Sequence, residues 1–176
     1  METTEKIVEA YVRYVKGWAT IPNIKCDGQY EIDLLAINPV SGEKYHIESG
    51  VSVSGSYSKL TNKPYSEDMI KVRVKQAGQR RTLGYFADRK FCAKEVVETL
   101  KKYGFEQGNY KKVIVTWDCT PEAKKEAENR GILIWDFRDI ISKIAKKIED
   151  KRTYFTDDTL RTLHLYARAM KIDKKQ

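Results

Sequence analysis

Apolar and polar positions alternate with period two over residues 43–53. Tyr45, Ile47, Val51 and Val53 share one side with Ser49 between them, and Lys44, His46, Glu48, Gly50 and Ser52 share the other. That period is the mark of a strand with one buried face. The run before it, residues 31–37, is short and rich in branched apolar residues, and it ends in a turn punctuated by Pro39 and Gly42. The two runs predict a hairpin that sets Asp33 and Glu48 side by side on neighbouring strands.

Elsewhere the period lengthens to that of a helix. Residues 4–18 carry Ile7, Val8, Tyr11, Val12, Val15 and Trp18 on a broad apolar face, with Gly17 near the stop. Residues 21–26 read as an edge segment containing Pro22, and Asp27-Gly28 as a turn into the hairpin, so Asp27 is assigned to turn chemistry. Residues 54–66 have the composition of a loop. Residues 67–81 follow as a basic helix capped by Ser66. Residues 83–88 fit either a strand or a loop, and 91–103 predict a helix closed by Gly104.

The last third is more regular. An apolar strand over 112–118, a helix over 122–130 opened by Thr120-Pro121 and closed by Gly131, and an apolar strand over 132–136 make a βαβ unit. Helices over 137–149 and 157–171 complete the chain. The expectation is one domain over 1–150 and a helical extension of it over 151–176.

Composition changes this picture little. The 176 residues hold 33 basic and 25 acidic side chains, a net charge of +8, which permits a polyanionic partner without choosing one. The three cysteines, Cys26, Cys92 and Cys119, match no zinc or redox spacing and fit reduced thiols in the cytoplasm. No apolar run reaches the ~20 residues of a membrane span, and no signal-peptide core is present, so a soluble chain with no membrane partner is expected.

The chemistry concentrates at the hairpin. Two carboxylates brought together repel each other, and a shared Mg²⁺ or Mn²⁺ relieves that repulsion. Around them lie Tyr57, Lys59, Lys63 and Tyr65 in the loop, and Lys71, Arg73, Lys75, Arg80 and Arg81 in the basic helix, residue types that contact phosphate and stack on unpaired bases. His46, two residues before Glu48, has the parity to orient a water, and Glu31 that to join the acidic cluster. Lys44 shares the parity too, but it sits ~13 Å from residue 48 at the rise of a strand. His164, alone beside the stripe of the last helix, is given no role.

Asp33, a strand–turn–strand and Glu48-Ser49-Gly50 resemble the PD-(D/E)xK nuclease superfamily, most closely Mrr-like restriction endonucleases and archaeal Holliday-junction resolvases. The strand–helix–strand–helix over VIVTWDCTPEAKKEAENRGILIWDFRDII resembles the late part of the Mrr-like group. The resemblance implies an α/β fold with a restriction-endonuclease-like α-β-β-β-α-β core, a mixed central sheet of about five strands flanked by helices, and a C-terminal helix. It implies Mg²⁺ (or Mn²⁺) held by Asp33, Glu48 and the carbonyl of Ser49, with a first-helix carboxylate, Glu9 before Glu5, touching the site. Where the superfamily has its lysine this chain has Gly50. That role then falls to Lys71 or Lys75, with His46 as a water-orienting substitute. The function so implied is metal-dependent hydrolysis of phosphodiester bonds in DNA, with RNA as a further substrate class and a homodimer as the form that cuts two strands. The alternative is a silent relative that binds nucleic acid or a protein partner. An unrelated α/β protein is the third reading if the two carboxylates lie apart.

Overall fold

The computed structural model describes residues 2–53, 58–66, 68, 78 and 80–173. Helix α1 (Thr3–Ala10) runs into a π-helical turn at Tyr11–Val15 and leads to β1 (Ala19–Lys25). Strands β2 (Glu31–Ile37) and β3 (Lys44–Gly50) form the expected hairpin. A short β4 (Lys59–Leu60) precedes a π-helical segment, Tyr85–Phe91, and α2 (Lys94–Lys102). Then come β5 (Tyr110–Thr116), β6 (Asp118–Cys119), α3 (Pro121–Asn129), β7 (Ile132–Asp136), α4 (Phe137–Ile148) and α5 (Asp158–Asp173).

The fold is α/β, with a mixed five-stranded sheet in the order β1-β2-β3-β5-β7. β1, β2 and β3 pair antiparallel, and β3, β5 and β7 pair parallel. Pro22 sits on the edge strand β1, where its missing N–H costs the ladder least. Thr120 caps α3 by accepting from the Ala123 amide, with Pro121 in the first turn, as the sequence predicts.

Both faces of the sheet are buried, which departs from the one-faced strand expected of β3. On one side Leu34, Ala36, Tyr45 and Ile47 pack under α1 and α4, and Leu160 of α5 joins the same core. On the other side two smaller apolar clusters form. One is built on Phe86, Phe91 and Ile114, the other on Ile32, Leu35, Val96 and Leu100. His46 and Glu48 point to that second side and are wholly buried. β3 is the central strand of five, so helices cover both of its faces, and the alternation separates a mainly apolar face, interrupted by Ser49, from one that buries His46 and Glu48.

The segment left open between strand and loop is helical. Residues 85–91 wind as a π-helix, and Cys92-Ala93 separates them from α2, so the helix expected over 91–103 is two elements. π-Helical turns are rare and concentrate at functional sites. Among the described residues no helix is long and apolar enough to cross a membrane.

Candidate metal and phosphodiester site

Hairpin register decides the geometry. Leu34 lies opposite Ile47, so Asp33 and Glu48 occupy the next pair along the ladder. The Ser49 amide donates to Asp33 Oδ2 at 2.7 Å, and the Asp33 amide points at Glu48 Oε1 at 3.4 Å. Each strand therefore holds the other strand's carboxylate in place. On the outer side of β2, Asn23 has a left-handed backbone (φ 56°) and drops out of the β1–β2 ladder opposite Asp33. Asn is among the few residues that adopt this conformation readily.

The third member is Lys90, on the last turn of the π-helical segment. Its ammonium lies 2.9 Å from Asp33 Oδ1 and 2.5 Å from Glu48 Oε2, and it also donates to the Glu31 carbonyl at 3.0 Å. Lys90 is the lysine that sequence reasoning missed. Gly50 leaves no room for a side chain of its own. A Cβ built at residue 50 would come within 2.4 Å of Phe86 Cζ. The Phe86 ring fills the space a residue-50 side chain needs, and Lys90, four residues further along the same helix, supplies the cation from above the sheet. The only sequence signal was a basic residue at helical spacing from an aromatic, in a segment whose own structure was ambiguous.

His46 lies beneath this triad. Its Nε2 is 2.6 Å from Glu48 Oε1, and its ring meets Phe91 edge-on at 4.8 Å. Burial, followed by the charge of Lys90, pushes its pKa down to about 3, so the ring is neutral. Being fully enclosed, His46 positions Glu48 and does not meet solvent water, which corrects the water-orienting role expected of it.

Charges in this cluster are strongly perturbed. Burial and then the neighbouring Glu48 raise the Asp33 pKa to about 7, with Lys90 opposing. Burial raises that of Glu48 to about 7, again against Lys90. Burial disfavours the Lys90 ammonium, but the two carboxylates outweigh it and hold its pKa above the ordinary value. Two acids whose pKa values are lifted by burial, Asp33 also by the charge of Glu48, form a site that gains from added positive charge.

Other expected site residues divide into three groups. Glu9 accepts from the Thr20 hydroxyl at 3.0 Å and lies 3.6 Å from Arg13, so it is engaged at β1 and does not join the pair. Glu5 is the first-helix carboxylate that senses the site, its pKa raised by burial and then by the charge of Asp33. Lys59 is 3.6 Å from Asp118 across the β4–β6 pair, and Lys63 is exposed on the following segment. Lys44 donates to the Gly104 carbonyl at 2.6 Å, and Glu31 pairs with Lys25. Arg81 Nη2 donates to the Val51 carbonyl at 3.2 Å, just beyond β3, and Arg80 lines a cleft with Lys90. Lys71, Arg73, Lys75 and Tyr57 lie outside the described residues.

The donor set suits a hard divalent cation. Asp33 and Glu48 provide carboxylate oxygens, the Ser49 carbonyl belongs to the same strand end, and Glu48 Oε2 is buried with only the Lys90 ammonium against it. All four carboxylate oxygens are engaged by protein groups, so a cation at this pair would displace the Lys90 ammonium from at least one of them. Among the described residues no group of three or more His, Cys, Asp or Glu is arranged as a metal cage. The set is two buried carboxylates with a backbone carbonyl.

No protein-family model and no curated protein matches the chain. A crystal structure of a protein of unknown function, AF1548, matches over 96% of this chain and 98% of that one, at 14% identity and a TM-score of 0.46.

Proposed function

We propose that this chain is a metal-dependent endonuclease that hydrolyses phosphodiester bonds in DNA. The observation that carries the reading is the Lys90 ammonium bridging Asp33 and Glu48. It restores, from a different element, the two-carboxylate and one-lysine set that Gly50 leaves incomplete. Mg²⁺ or Mn²⁺ held by Asp33, Glu48 and the Ser49 carbonyl would neutralise phosphate charge and acidify a water. Lys90 brings a fixed positive charge to the position where negative charge develops on phosphate oxygens, which is the most effective use of a preorganised cation. His46 and the Ser49 amide keep the two carboxylates in register. Three free thiols fit a reducing compartment, and we assign the chain to the cytoplasm.

A second reading has its own support. Glu48 is wholly buried, as in a silent site that serves only binding. One assay separates the two: cleavage of supercoiled, linear and branched DNA with Mg²⁺, Mn²⁺ or EDTA, comparing wild type with Glu48→Gln and Lys90→Met. The nuclease reading expects metal-dependent cutting that falls at least about a hundredfold in each variant. Absence of cutting by folded wild type on every substrate, with metal supplied, sinks it in favour of the binding module.

A further inference from the structure

Lys90 is the cation at the carboxylate pair, and its charge is committed there. It bridges Asp33 and Glu48 and donates to the Glu31 carbonyl. The oxygens of a phosphate would have to compete with two carboxylates for it. A second cation stands on the same face of the sheet. Gly50 lies two residues beyond Glu48 on that face, about 7 Å along the strand. The space a side chain at residue 50 would need is bounded by the Phe86 ring and by the Arg81 guanidinium, whose Nη1 is 3.3 Å from the ideal Cβ position. Arg81 therefore sits at the C-terminal end of β3, the strand end that carries the Ser49 carbonyl.

Its placement is fixed by its own backbone and by β3. The Thr61 amide donates to the Arg81 carbonyl at 3.0 Å, and the Arg81 amide donates to the Gly78 carbonyl at 3.2 Å. Arg81 Nη2 donates to the Val51 carbonyl at 3.2 Å. Among the described residues no carboxylate forms an ion pair with this guanidinium. Burial is the largest influence on its pKa and lowers it, and the charge of Glu2 opposes that from beyond ion-pair contact. An arginine keeps its proton even so. A half-buried cation with a carbonyl for company and no counter-ion is costly, and an arriving anion offsets that cost. The guanidinium fork matches phosphate oxygens in both charge and geometry.

We propose that Arg81 is a phosphate ligand of the Asp33–Glu48 site, its guanidinium holding a non-bridging oxygen of a DNA phosphodiester at the end of β3 while Lys90 stays with the carboxylates. The division of labour follows from the partners each cation already has. A contact to the backbone carries no base information, so it serves any sequence. The proposal rests on the nuclease reading for its choice of DNA, but its test does not need cleavage.

The experiment is fluorescence anisotropy in EDTA with a labelled DNA duplex, titrated with wild type, Arg81→Met, Arg81→Lys and, as a charge control, Arg130→Ala. Arg130 is exposed at the C-terminal end of α3, before the start of β7 and so at the opposite end of the parallel strands from Gly50. Arg81→Met is expected to bind about tenfold more weakly and to flatten the salt dependence by about 0.9 in log–log slope, the loss of one phosphate contact. Arg81→Lys keeps the charge, so its slope should stay at the wild-type value while its affinity falls less than that of Arg81→Met. Arg130→Ala is expected to stay within about twofold of wild type. Wild type supplies a second measurement, phenylglyoxal labelling of arginines read by peptide mass spectrometry. Excess duplex should suppress labelling of Arg81 and leave that of Arg130 unchanged, and this readout decides the matter if Arg81→Met fails to fold. The proposal is overturned if Arg81→Met binds no more weakly than Arg130→Ala, if the lysine and methionine variants lose affinity equally with unchanged slopes, or if duplex leaves Arg81 labelling untouched. Weakened binding in Arg81→Met with no cutting by wild type in Mg²⁺ retains the phosphate contact and removes the nuclease reading. Metal-dependent cutting by wild type with unchanged binding in Arg81→Met does the reverse.

Discussion

The Phe86 ring stands where a side chain at residue 50 would have to go: a Cβ on Gly50 would lie 2.4 Å from its Cζ. This pair ties the absence of a side chain at residue 50 to the helix that carries Lys90. Phe86 is buried in the cluster with Leu83, Ala87 and Phe91, so its ring has nowhere to retreat. The glycine at residue 50 and the placement of Lys90 belong to one packing arrangement.

Gly50→Ala is therefore expected to destabilise the fold by about 1–3 kcal/mol, the usual cost of overpacking a filled site. Urea unfolding measures it. Phe86→Ala is itself costly, but on that background Gly50→Ala should cost less than in wild type, and a Gly50→Ala variant as stable as wild type would contradict the packing account.

Moving the cation to β3 is the companion test. Lys90→Met should abolish metal-dependent cutting. Gly50→Lys combined with Phe86→Ala and Lys90→Met places the cation on β3, and is expected to recover at least about tenfold of the lost rate. A triple variant that folds, binds DNA and shows no recovery would indicate that Lys90 holds the carboxylates together but contributes no charge to the reaction.

Stability of the metal-free protein should fall as pH rises. Asp33 and Glu48 both have folded-state pKa values of about 7, above the ordinary 3.8 and 4.5. Across that interval the two carboxylates hold protons in the folded chain that they lose in the unfolded one, and this outweighs the single proton that buried His46 gives up below its ordinary 6.5. The stabilising contribution is present below the ordinary values and is lost as pH climbs through the folded ones. Each proton released costs up to about 1.4 kcal/mol per pH unit. Unfolding in EDTA from pH 4.5 to 7.5 should show a steeper decline for wild type than for Asp33→Asn/Glu48→Gln/Lys90→Met, in which the carboxylates no longer titrate and His46 remains in both. Parallel curves would remove the cluster as the cause.

Mg²⁺ should reverse that decline at neutral pH. A cation that binds only the folded pair stabilises by about 2.7 kcal/mol at a hundred times its dissociation constant. Differential scanning fluorimetry at rising Mg²⁺ is expected to raise the melting temperature of wild type and leave Asp33→Asn/Glu48→Gln unmoved. Equal shifts in both would show a cation bound elsewhere.

His46 shows how far sequence parity can lead. Alternation put it on the face of Glu48, and the structure keeps it there. What alternation could not supply was its depth, because β3 lies mid-sheet under the Phe91 ring, and a fully enclosed imidazole orients a carboxylate instead of a water. The first helix tells a similar story. Periodicity put Glu5 and Glu9 on the chain's first turns, but the crossing of α1 over the sheet sends Glu9 to Thr20 and leaves Glu5 within the field of Asp33.

The mixed sheet was what the resemblance implied, while by itself the sequence determined the hairpin, the carboxylates facing each other across it and the βαβ unit. Those features follow from periods of two and 3.6 and from turn and cap residues, which act over a few neighbours. Tertiary structure alone decided that both faces of β3 are buried, that residues 85–91 wind as a π-helix, and that Lys90 reaches two carboxylates 57 and 42 residues earlier in the chain. The physical reason is that a cation needs only to be near its carboxylates in space. Once the Phe86 ring took the volume above Gly50, the fold could bring that charge from any element packed against the same face, and no local pattern in the chain records which one it is.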